Sequence, residues 1–177
     1  MSKDDTRREN RPPAPSARPE IAEFIERVRS LGPASQAERL AGLMSRIDCR
    51  GGHTQIGKVL SHARHEYAKQ RVQAMDFVGD AMEEKIDDLC QAAGELGLLG
   101  VPVFMFQEGN DPVAEKAYRE IARLSRGAYC RFDTGAAHQL GELLRAVAAY
   151  AAGGIKALAD LSARRSEGAR RLLAQLK

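Results

Sequence analysis

Tryptophan is absent from the 177 residues, and aromatic side chains make up only 5% of them. A stacking platform for single-stranded nucleic acid is therefore not expected. Neither sign of charge dominates. The formal net charge is +3, with basic and acidic residues interleaved except at the two ends, so there is no electrostatic case for nucleic acid. Cysteine is scarce: Cys49, Cys90 and Cys130 are odd in number and show no Cys-x-x-Cys spacing. That argues against a disulfide framework or a zinc knuckle and fits reduced thiols in a cytoplasm. No apolar run approaches the roughly 20 residues that span a bilayer. Residues 1–20 are polar and lack the apolar stretch of a secretory signal. A cytoplasmic chain with no membrane partner is the expectation.

What is present is an ordinary globular mixture, with 44% hydrophobic and 29% charged residues. Residues 1–18 are charged and Pro-rich, and cannot bury enough apolar surface to offset the entropy of ordering them, so a disordered tail is predicted. Two helices are predicted at about 19–31 and 35–47, and a third at about 54–70 with Ile56, Val59, Leu60 and Ala63 inward. The rhythm then becomes strand and helix in alternation. Strands are predicted at 74–79, 101–107 and 128–132, and helices at 82–98, 112–125 and 136–152. Gly153-Gly154 should break the chain before a last amphipathic helix at about 155–176. The division is thus a tail at 1–18, an α/β domain at 19–152 and a C-terminal helix at 153–177. Alternation of this kind implies parallel β-α-β units, with ligands at the carboxyl ends of the strands. The fold class is α/β: a Rossmann-like three-layer sandwich whose truncated parallel sheet has about three strands flanked by helices.

Four stretches, in order, carry a resemblance. Gly52-His53-Thr54-Gln55-Ile56-Gly57-Lys58-Val59-Leu60 is a Gly/Thr loop opening a helix. Phe77-Val78-Gly79-Asp80 is a strand ending in an acid. Gly100-Val101-Pro102-Val103-Phe104-Met105-Phe106 is a buried strand. Leu124-Ser125-Arg126-Gly127-Ala128-Tyr129-Cys130 leads into another. Together these resemble the second half of a von Willebrand factor A (VWA) domain of the small cytosolic bacterial type. The resemblance implies a metal-ion-dependent adhesion site, with Thr54 as its second-loop hydroxyl and Asp80 as its third-loop carboxylate. The family's first loop, Asp-x-Ser/Thr-x-Ser, has no counterpart. Asp4-Asp5-Thr6-Arg7-Arg8 lacks the final Ser, and Asp160-Leu161-Ser162-Ala163-Arg164 lies in a predicted helix and ends in Arg. The first strands also have no place, because too few residues separate Leu31 from Ser35. Magnesium demands near-octahedral oxygen ligation, so the resemblance implies at most a weak Mg2+ site.

Other assignments compete at each position. Thr54 could instead cap its helix, and Asp80 with Glu83 has capping-box spacing. His62, His65 and Glu66 could share a helix face, but no third zinc ligand is evident. His53, Glu108 and Asn110 are placed to form a partner-binding rim, although the turn at 108–111 could equally cap the next helix. Cys90 and Cys130 read as core thiols. The C-terminal helix is basic and amphipathic, suited either to an acidic partner or to packing on the sheet.

The expected function is a protein-interaction module with a degenerate divalent-metal site and no catalysis, in which a partner's acidic group would complete the metal. Two alternatives remain open: a small Rossmann-like enzyme using the rim on a phosphate-bearing substrate, or a subunit completed by another chain. With the first strands missing, the 74–79 strand should lie at a sheet edge. Such an edge invites homodimerisation or a protein partner.

Overall fold

The computed structural model describes residues 54–176. The tail predicted at 1–18 and the helices predicted at about 19–31 and 35–47 lie outside the described residues, as do Cys49 and His53.

Three strands and five helices follow one another among the described residues. They are α1 (Ile56–Lys69), β1 (Met75–Gly79), α2 (Ile86–Leu98), β2 (Val103–Glu108), α3 (Pro112–Leu124), β3 (Tyr129–Phe132), α4 (Ala137–Ala163) and α5 (Glu167–Leu173). The sheet is parallel throughout, in the order β1-β2-β3. Met75 stands opposite Val103, and Met105 opposite Tyr129. Residues 103–107 of β2 are all buried. A central parallel strand is covered on both faces, which is why its sequence is a continuous apolar run rather than an alternation.

Alternate side chains of the sheet enter two cores. Val103, Met105 and Tyr129 pack with Ile56 and Leu60 of α1, Leu89 of α2 and Ile121 of α3. Phe104, Phe106, Cys130 and Phe132 pack with Leu143, Val147 and Leu158 of α4 and Leu172 of α5. Helices thus lie on both faces, giving the α/β three-layer arrangement expected from the alternation of strands and helices. The C-terminal segment belongs to this second core, since Leu158, Ala169 and Leu172 are fully buried.

Several boundaries differ from the sequence expectation. α2 starts at Ile86 rather than at 82, because Glu83 and Glu84 turn toward α1 instead of joining a helix. The Gly153-Gly154 break is a kink within α4: Gly154 adopts φ 65°, a left-handed conformation that a side chain would strain. The helix predicted at 155–176 is two pieces. Arg165, at φ 68°, turns the chain, and Ser166 then caps α5 by accepting from the Ala169 amide at 3.3 Å. The same Ser166 hydroxyl donates to Glu142 on α4 at 3.0 Å.

The two edges of the sheet are unlike. At β3, the Gln175 side chain imitates a neighbouring strand. Its Oε1 accepts from the Tyr129 amide at 3.0 Å and its Nε2 donates to the Tyr129 carbonyl at 2.9 Å. Arg171 donates to the Arg131 carbonyl at 2.6 Å. β1 pairs with β2 alone among the described residues, and Asp76 and Val78 are exposed.

Candidate functional site

In a parallel sheet the loops after each strand gather at one rim. Here that rim carries Asp80, Glu83 and Glu84 after β1, Glu108 and Asp111 around the end of β2, and Asp133 after β3. Lys85 is the basic residue of these loops.

Carboxylates of the same chain meet the first backbone N–H groups of α1 and α3 at this rim, whereas α2 and α4 start without a side-chain cap. Glu84 accepts from the Ile56 amide at 2.5 Å and from the Gly57 amide at 3.1 Å, so it caps α1 from a loop distant in sequence. A Cβ on Gly57 would stand 3.0 Å from Glu84 Oε1, so the bare glycine leaves room for the carboxylate. Glu83 accepts from the Thr54 amide at 3.1 Å. Asp111 caps α3 by accepting from the Val113 amide at 2.7 Å and the Ala114 amide at 2.9 Å, with Pro112 following it. Glu108 accepts from the Gly135 amide at 3.1 Å, tying the β2 loop to the β3 loop.

This changes the local account of Thr54 and Asp80. Thr54 is not the cap of α1: Gln55 flanks the helix and makes no side-chain capping bond. Asp80 with Glu83 does not form a capping box, since Lys85 precedes α2. The caps at α1 come from across the fold, where local spacing gives no signal. Glu83 nevertheless brings Thr54 to the loop that begins at Asp80. Asp80 is exposed, Glu108 is half-buried and Asn110 is exposed.

Beneath the rim lies a buried polar network. Gln107 is fully buried, donating to the Asp111 carbonyl at 2.7 Å and accepting from the Tyr129 hydroxyl at 2.7 Å. Tyr118, also fully buried, donates to the Ala81 carbonyl at 2.9 Å and meets Phe77 edge-to-face. Burial pushes the Tyr118 phenol well above its ordinary pKa, and the carboxylates of Asp80 and Asp111 add to that shift. Those two acids therefore act on one phenol from different loops. The clue in the sequence was Gln107, a polar residue ending an apolar run.

Thr54 and Asp80 would offer a hydroxyl and a carboxylate to a magnesium ion that keeps several waters, while Glu83 and Glu84 are engaged with backbone amides. Among the described residues, no group of three or more His, Cys, Asp or Glu side chains could hold a metal ion. His65 bonds the Ser61 carbonyl through Nδ1 at 2.8 Å. Burial raises the pKa of both the Cys90 and the Cys130 thiol, which disfavours the thiolate. No helix among the described residues is long and apolar enough to cross a membrane.

Compared with known proteins, the chain matches no family model, no curated sequence and no solved structure.

Proposed function

We propose that this domain is a cytoplasmic, VWA-like protein-interaction module that works through the acidic rim, its divalent-metal site reduced to a remnant at Thr54 and Asp80. The observation that carries this is the state of the backbone amides there. Those of Ile56, Gly57, Val113, Ala114 and Gly135 already hold carboxylates of the same chain. Such a rim repels an added anion and attracts a cation. A basic segment of a partner is favoured over the acidic group that a complete metal site would take. The carboxylates at α1 and α3 also close those helix starts to a phosphate, which leaves the phosphate-handling enzyme only the uncapped starts of α2 and α4. One observation supports a subunit completed by another chain: β1 is paired on one side only among the described residues.

The test is fluorescence anisotropy of labelled lysine-rich and glutamate-rich peptides against the full chain, with and without magnesium. The lysine-rich peptide should bind and weaken as salt rises. Asp80→Lys should weaken it several-fold. Binding of the glutamate-rich peptide in magnesium alone would overturn the proposal in favour of a working metal site. Binding of neither peptide would remove the rim as an interaction surface.

A further inference from the structure

A second feature lies off the β3 edge of the sheet. A cleft of about 550 Å³ runs between α3, β3 and the end of α5, and three arginines line it: Arg119, Arg131 and Arg171. We propose that this cleft binds the phosphate group of a small molecule.

Two of the guanidiniums are held in place before any ligand arrives. Arg119 donates from Nε to Glu115 at 2.8 Å and lies over the Tyr129 ring, 4.4 Å from its centroid. Arg171 is tied to the Arg131 carbonyl at 2.6 Å. A guanidinium carries five N–H donors in a rigid fork, so each of these keeps donors to spare. The Arg131 side chain makes no hydrogen bond or ion pair among the described residues, and it is exposed. Placing three such forks around one cleft suits the tetrahedral oxygens of phosphate, which Arg grips bidentately.

The charge balance has the right sign. Three guanidiniums face two carboxylates, Glu115 and Asp133. Glu115 is already paired with Arg119, and Asp133 accepts from the Gln139 side-chain Nε2 at 3.2 Å. The arginines also act on a common floor: Arg171 and Arg119 both pull against the burial that raises the Cys130 thiol. A volume of this size suits a small molecule. Arg119 covers the Tyr129 ring, which leaves no stacking face there for a base. The ligand is therefore inorganic phosphate or a small phosphate ester, not a stacked nucleotide. The cleft adjoins the rim at Asp133 but is centred on the three arginines, not on the carboxylates that cap α1 and α3.

Calorimetric titrations of the full chain at low salt test it, with inorganic phosphate, glucose 6-phosphate, glucose and citrate as probes. A phosphate-bearing probe should bind saturably, glucose should not, and added sodium chloride should weaken the binding. Arg131→Gln should weaken it about tenfold, whereas Lys116→Gln, an equal charge loss on α3 outside the cleft, should change it less than about twofold. Glucose 6-phosphate tighter than phosphate identifies an ester as the ligand; equal affinity identifies the free ion. Equal weakening in the two variants would overturn the proposal, leaving only diffuse surface charge. So would the absence of saturation by either phosphate probe, or citrate binding that exceeds both.

Discussion

Replacing Glu84 by Ala tests the idea that a rim carboxylate satisfies the backbone donors at the start of α1. The carboxylate accepts from the Ile56 amide at 2.5 Å and the Gly57 amide at 3.1 Å. Loss of a helix N-cap costs about 1 kcal/mol, and about 2 kcal/mol where the contact is charged and partly buried. The upper figure applies here, because Glu84 is half-buried and spans two amides. Ile56 is fully buried in the first core, so fraying of the first turn of α1 would add part of a buried side chain's roughly 1.5–3 kcal/mol. Urea unfolding of the full chain should therefore show Glu84→Ala destabilised by about 2–4 kcal/mol. The melting temperature should fall by roughly 4 °C for each kcal/mol. Glu84→Gln, whose amide oxygen can still accept, should lose about half as much. Removing the carboxylate also opens a helix N-terminus to anions. Sulfate should then stabilise Glu84→Ala more than the wild type, with sodium chloride at matched ionic strength as the control. A loss below about 0.5 kcal/mol, or an equal sulfate response in both proteins, would refute the capping role.

Two further outcomes are expected. Asp76 is exposed at the sheet edge, yet the packing around its carboxyl desolvates it enough to raise its pKa above the ordinary value, only partly offset by a bond from its own amide. The folded state thus disfavours ionised Asp76, and stability falls as pH rises from about 3.9 through the raised value and stays lowered at neutrality. Asp76→Asn should be more stable than the wild type in urea at pH 7, with the gain disappearing near pH 3; a gain of equal size at both pH values would refute this. At Gly127 an added Cβ would stand 1.9 Å from the Val103 carbonyl oxygen. Gly127→Ala should lose roughly 2–4 kcal/mol in the same assay, and wild-type stability would mean that β2 can shift away at little cost.

The two levels of information separate by the range of the contacts involved. The apolar run through Phe106 announces a strand buried on both faces, and its alternation with Pro112–Leu124 and similar helices announces a parallel sheet. Asp111-Pro112 is a helix start that can be read from neighbouring residues, and the structure has it. These features follow from pattern and local propensity, which act within a few residues. The Glu84 bonds to Ile56 and Gly57 were not legible, because 28 and 27 positions separate the partners. Local spacing pointed instead to Thr54 and to Asp80 with Glu83. Nor could spacing reveal that Gln175 completes the β3 edge from 46 residues away, or that three scattered arginines line one cleft. By itself the sequence determined the strand-and-helix order and the acidity of the loops. Only the tertiary structure decided which amides those acids would meet, since a side chain's partner depends on packing that brings distant segments together.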